Sequence, residues 1–218
     1  MLENKYSKFL TIILIVIIAA IVILLCVFGY DIYQKFTTDK AVAQVLNEFN
    51  ESLNTTVDNT ESNSEAVTPI LNEEVVEQNT SSGNKKVTYK GYNVVGTIEI
   101  PKISLNYPIL ERTTPDSIEL SVAMLYGPGP NKVGNTVIIG HNYRNGLFFG
   151  NNDKLSIGDK IYITDTSGTR IEYTIYNIYE TTPDDADYFE RDTAGKREIS
   201  LSTCTDNSKA RLIIWASE

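Results

Sequence analysis

Cysteine and histidine are almost missing from this chain. Among 218 residues there are two cysteines, Cys26 and Cys204, and one histidine, His141. Cys26 lies inside a long apolar run, so the rest of the chain holds a single thiol and no disulfide can form within it. A lone thiol outside a membrane is either a small buried hydrophobe or a working group. Any Cys–His chemistry is confined to one pair, Cys204 with His141. A basic stripe is also missing. Lys and Arg number 19 against 28 Asp and Glu, for a net charge of −9. By segment, basic against acidic residues run 3 to 2 in residues 1–35, 4 to 9 in 36–90, and 12 to 17 in 91–218. An acidic chain without a basic face argues against nucleic acid as a partner. It argues equally against peripheral membrane binding by the folded part.

One apolar run is long. Residues 9–30 read FLTIILIVIIAAIVILLCVFGY, without a charge. As a helix this run spans roughly 33 Å, enough for a hydrocarbon core of about 30 Å. Lys5, Lys8 and the amino terminus precede it, which places the N-terminus in the cytoplasm and exports the rest. Lys35 and Lys40 follow it and weaken that asymmetry. A cleaved signal peptide fits less well, because the run exceeds the usual core length and no A-x-A site follows. The expected organisation is a cytoplasmic N-terminus (1–8), a transmembrane signal anchor (9–30), an extracellular helix and flexible linker (31–90), and a folded domain (91–218). Within the linker, Val42, Val45, Leu46 and Phe49 recur at helical spacing over residues 38–53. A short amphipathic helix is expected there, marginal in isolation, with a membrane-proximal or coiled contact as the other options. Residues 54–88 are rich in Asn, Ser, Thr and Glu and bury too little to order themselves. They read as a tether, and about 60 flexible residues would reach on the order of 45 Å.

From Gly91 the pattern becomes all-β. Short β-branched and aromatic runs alternate with turn residues, as in a sandwich or barrel. The runs are 94–100, 107–109, 136–139, 160–164, 170–179, 198–202 and 211–216. Pro101 closes the first because it has no N–H for a ladder. Residues 165–168, Asp-Thr-Ser-Gly, form a turn between two antiparallel strands. Thr114 followed by Pro115 marks a helix start, running to Leu120 or Val122. Residues 147–155 read as another short helix or a turn. Residues 180–197 form a long loop, a length that is often functional.

Cys204 and His141 each fall where a strand is expected to end, and Arg211 opens the last run. Strand ends put side chains at a barrel rim, within reach of a substrate. A thiol needs a lowered pKa or an adjacent base to act as a nucleophile. A histidine can serve as general acid to a leaving amine, and a guanidinium can stabilise a developing oxyanion. Taken singly, each has a plainer reading: a buried thiol, a loop histidine, half of a surface ion pair. Their weight comes from being the domain's sole Cys and sole His, each at an expected strand end.

NTVIIGHNY (135–143) resembles the histidine motif of the sortase family, where a strand leads into Gly-His. SLSTC (200–204) resembles that family's T-L-x-T-C signature, with Ser200 in place of the first Thr, and Arg211 falls where its arginine lies on the next strand. GTIEIPKISLNYPIL (96–110) is similar to its opening strands. The resemblance spans about residues 92–217. It implies an eight-stranded β-barrel with one or two short helices, behind the N-terminal transmembrane helix. It implies a membrane-anchored cysteine transpeptidase that cuts an LPxTG-like sorting signal between Thr and Gly. In that scheme Cys204 forms a thioacyl-enzyme, His141 carries the proton, and Arg211 binds the signal and stabilises the tetrahedral intermediate. Ser202 and Thr203 would contact the substrate. The acceptor would be an amine of a peptidoglycan precursor or another amine, at the outer face of the cell membrane. The family's active form pairs thiolate with imidazolium, a state that unperturbed pKa values of about 8.5 and 6.5 would populate at only about 1%.

The 63 positions between His141 and Cys204 are few for the extra helix of class B. No lid motif or second span of the class C kind is seen, so the expectation is a class A- or D-like enzyme. No cofactor is required, although some class A members use calcium near a loop like 180–197, where Asp184, Asp185, Asp187 and Glu190 lie. Two rival functions stand beside this one. An L,D-transpeptidase needs His-Gly just before its Cys and Arg two positions after, where this chain has Ser202-Thr203 and Asp206. A non-catalytic surface β-domain that binds a partner would carry a buried, inert Cys204.

Overall fold

A computed structural model describes residues 3–58, 86–205 and 209–218. The chain divides into two compact units, Met1–Ala41 and Val42–Glu218. Helix α1 (Glu3–Asp58) begins in the first and ends in the second. In the first unit its apolar side chains are exposed, Leu24 and Phe28 to 69% each. It is long and apolar enough to cross a membrane, as expected for residues 9–30.

In the second unit the end of α1 departs from expectation. Residues 38–53 read as a marginal isolated helix, yet Val42, Val45 and Phe49 are buried. Val42 belongs to the main core cluster and Leu46 packs against it. Leu53 approaches the turn at Gly168. The helical stripe is stable because it packs on the main core cluster of the barrel. The tether expected over 54–88 differs at both ends, since α1 runs to Asp58 and residues 86–88 already belong to the domain. Val87 and Tyr89 are buried, Val94 N–H donates to the Val87 carbonyl at 2.9 Å, and β1 (Thr88–Tyr89) pairs with β2 (Tyr92–Ile100). The remainder of that expectation, 59–85, lies outside the described residues.

The other strands are β3 (Leu105–Leu110), β4 (Val122–Tyr126), β5 (Gly134–Ile139), β6 (Lys160–Asp165), β7 (Arg170–Thr181), β8 (Arg197–Thr205) and β9 (Ala210–Ser217). Their order is β1-β2-β3-β4-β5-β8-β9-β7-β6, and β6 also pairs with β2. That last pairing closes β2–β9 into an eight-stranded barrel, with β1 as a short appendage. The β3–β4 and β5–β8 pairs are parallel. Side chains alternate inward at period 2, and Ile98, Ile100, Ile161, Ile163, Leu201 and Ile214 fill the interior.

Each of the seven expected runs lies within a strand. Two strands fall outside those runs, β1 and β4. Helix α2 stops at Ile118 after one turn (Pro115–Ile118), although its start is as expected, with Thr114 and Ser117 capping each other. The helix ends there because the buried Ser121 hydroxyl donates to the Pro108 carbonyl at 2.6 Å. That bond draws Val122 into register with Ile109 of β3. Residues 147–155 hold only a single 3-10 turn, Asn152–Lys154.

Strand β8 is buried on both faces from Glu198 to Thr203. Its outward face is covered by the loop after β7. Tyr188 from that loop packs with Val137 and Ile213, and Phe189, Tyr179 and Trp215 surround them. The long loop is therefore a packed wall beside the ends of β5, β8 and β9.

Candidate active site

His141 follows β5 directly after Gly140. A Cβ at Gly140 would lie 2.9 Å from Val122 Cγ1 and 3.0 Å from Phe149 Cδ2. Only glycine lets the chain leave the strand that close to the core. The segment is tied to β8 three times. Gly140 N–H donates to the Ser202 carbonyl at 3.3 Å, Thr203 Oγ1 donates to the Gly140 carbonyl at 2.8 Å, and Asn142 Nδ2 donates to the Cys204 carbonyl at 2.9 Å. Across the β8–β9 ladder, Cys204 faces Arg211 in register. A spacing of seven residues thus becomes a side-by-side pair at one barrel end.

These elements enclose a cleft of ≈ 350 Å³. It is lined by Gly140, His141, Ser202, Thr203, Cys204 and Arg211, by the apolar Ile118, Leu125 and Ile139, and by Pro183–Ala186, Tyr188 and Phe189 of the long loop. The structure therefore brings all five residues singled out in the sequence to one site. Cys204, His141 and Arg211 are half-buried. Arg211 Nη1 donates to the Ala210 carbonyl at 3.2 Å. Ser202 and Thr203 are only 3% and 4% exposed. The Ser202 hydroxyl lies 3.3 Å from that of Tyr188, and that of Thr203 is committed to Gly140.

Among the described residues, the acid in ion-pair range of the histidine is Glu119, just after α2. Its Oε1 lies 3.1 Å from His141 Nε2, although Nε2 is buried with no hydrogen bond in line. Glu119 Oε2 accepts the Tyr143 hydroxyl. Burial, and after it this bond, holds the Tyr143 phenol well above its ordinary range.

Sequence reasoning missed the device that seats the loop wall. Arg191, with 11% of its side chain exposed, donates to Glu198 Oε2 at 2.6 Å. It also donates to the Tyr176 hydroxyl at 2.5 Å and to Asn135 Oδ1 at 3.0 Å. Its guanidinium lies 4.1 Å over the Trp215 ring. Asn135 Nδ2 in turn donates to the carbonyls of Tyr188 and Phe189 at 2.9 and 3.0 Å. The available signal was Asn135, an amide at the head of the strand that runs into Val137–Ile139; Arg191 looked like any charge in an acidic loop.

The four loop acids considered for calcium do not converge. Among the described residues no group of three His, Cys, Asp or Glu is placed to hold a metal. Glu190 Oε1 accepts from Tyr126 at 2.8 Å. Asp185 accepts from the Thr181 hydroxyl and from the Asp187 N–H, and those bonds hold its carboxyl below the usual range. The residues present do not fit a calcium site.

Residues 98–218 match the family model described as "Sortase domain". Over 124 residues the chain is 35% identical to sortase A of Bacillus anthracis, covering 55% of this chain and 58% of that protein. The chain thus spans little more than half of that relative's length. Among solved structures it resembles sortase A from Corynebacterium diphtheriae (30% identity, TM-score 0.53, 58% and 60% of the two chains). It also resembles a Clostridium perfringens sortase D5 transpeptidase (25% identity, TM-score 0.56, 82% and 96%).

Proposed function

The chain belongs to the sortase family, and from that premise we propose that it is a membrane-anchored cysteine transpeptidase acting on LPxTG-like sorting signals. The observation that carries this reading is the cleft itself. The chain's only histidine, the domain's only thiol and Arg211 line one accessible space, although they come from three separate strand ends. The Cys204 thiolate attacks the threonine carbonyl of the signal, and Arg211 stabilises the oxyanion that forms. The Thr–Gly C–N bond breaks, and His141 gives its proton to the departing glycine amine. A thioester on Cys204 remains. An incoming amine attacks it and passes its proton to His141, and the thiolate leaves. The apolar parts of the signal fit the walls formed by Ile118, Leu125, Ile139 and Phe189.

Helix α1 anchors the protein in the cell membrane through residues 9–30, with residues 1–8 in the cytoplasm and the barrel outside. Residues 31–41 lead from the span to the unit Val42–Glu218, which holds the catalytic domain. Similarity to both a sortase A and a sortase D5 supports a class A- or D-like enzyme, whose acceptor is a peptidoglycan-precursor amine or a related one. The test is the full chain in nanodiscs with a panel of fluorogenic LPxTG-like peptides and a small amine. Cleavage with amine-coupled product is expected. Arg211→Ala is expected to lose about 10²-fold in rate, and His141→Ala about 10²–10⁴-fold. No cleavage of any peptide, with Cys204 resistant to alkylation, would return the barrel to a binding role.

A further inference from the structure

Glu119 lies outside the lining of the cleft, yet both of its carboxylate oxygens are directed at the histidine segment. Oε1 is 3.1 Å from His141 Nε2. Oε2 accepts the hydroxyl of Tyr143, whose ring lies 5.1 Å from the imidazole and is tilted by 49°. Tyr143 packs in turn on Phe148, at 5.7 Å between centroids, and Phe148 is in the core. The tyrosine is thus a rigid post that fixes the carboxylate, and the carboxylate faces one particular ring nitrogen. That nitrogen is buried and has no aligned partner among the described residues. Rotation of the ring would bring its N–H into line with Oε1, 3.1 Å away. In a histidine, the partner of one nitrogen decides which nitrogen does the chemistry.

We propose that Glu119, held by Tyr143, is a positioning residue: it takes the Nε2 proton of His141 as a hydrogen bond, leaving Nδ1 to exchange protons with the substrate amine. This rests on the transpeptidase reading. Among the described residues, the charged or titratable groups around the ring are Glu119, Tyr143 and, lining the cleft with it, Cys204, Arg211, Asp184 and Asp185. Among these, Glu119 is the acid within ion-pair distance of Nε2. Its carboxylate thereby orients the ring that donates to the leaving amine.

A merely structural Glu119 would need only an acceptor for the Tyr143 hydroxyl, which glutamine supplies as well. The full chain in nanodiscs is assayed with a cleaved LPxTG-like peptide and an amine. Glu119→Gln is expected to lower kcat by about 10-fold with KM and thermal midpoint unchanged. Glu119→Asp keeps the charge and recovers part of the loss, and Tyr143→Phe falls between wild type and Gln. Wild-type kcat in Glu119→Gln, equal losses in Gln and Asp, or a loss confined to KM overturns the proposal. Alkylation of Cys204 by iodoacetamide across pH 5–9 reads the same device without any peptide. Glu119→Gln is expected to slow it near neutrality, and superimposable profiles overturn the proposal. A chain that cuts no peptide but shows the Gln effect on alkylation would refute the substrate reading and leave this one standing.

Discussion

Arg191 and Glu198 are each nearly out of water, at 11% and 10% side-chain exposure. Such a pair is weak as a source of stability, but breaking it strands the survivor without a partner. Arg191→Met should therefore cost about 3–5 kcal/mol and release the loop that walls the cleft, raising KM for the peptide. Arg191→Met with Glu198→Met should recover most of the stability while KM stays high, read by thermal melts and steady-state kinetics. Tyr173 supplies a second residue-scale test. Its hydroxyl donates to Asn131 Oδ1 at 3.1 Å, and burial pushes its phenol up to about 12. The unfolded value is near 10, so its stabilising contribution is complete below about pH 10 and is lost as pH rises toward 12. Unfolding free energy by urea should fall across that window, and Tyr173→Phe should flatten the fall. Cys204, His141 and Arg211 were legible in the sequence because two of them are singular and all three sit at strand ends. Glu119 and Arg191 were not, because an acid after a short helix and a base in an acidic loop have the composition of any solvated surface.

Among the elements, the docked end of α1 differs most from its sequence reading. The stripe Val42, Val45, Leu46, Phe49 announced a helix, but nothing local to it named the surface it covers. Phe49 is 1% exposed, so Phe49→Ala in the full chain should cost about 3–5 kcal/mol and lower the thermal midpoint of the barrel. An unchanged midpoint would mean that the helix is only a tether. Strand β4 was illegible for a related reason. Its parallel pairing with β3 depends on a buried Ser121–Pro108 bond that no local pattern reports. Strands with strict alternation, such as β2, were read to within two residues at their ends.

For the whole molecule, the site exists only when the barrel closes. Parallel pairing of β5 with β8 sets the histidine segment beside Cys204, and the β8–β9 ladder sets Arg211 beside it. The proposed export of the barrel makes a further expectation. On intact cells a membrane-impermeant thiol reagent should label Cys204, while Cys26, inside the apolar run of α1, stays unlabelled; the reverse pattern would contradict the topology. The most direct measurement is the intact mass of the full chain after incubation with excess LPxTG-like peptide and no added amine. One adduct is expected, equal to the fragment ending in threonine less one water. It should map to Cys204, be absent from Cys204→Ala, and disappear when an amine is supplied. Peptide cleavage that persists in Cys204→Ala, or cleavage with no adduct on Cys204, would contradict it.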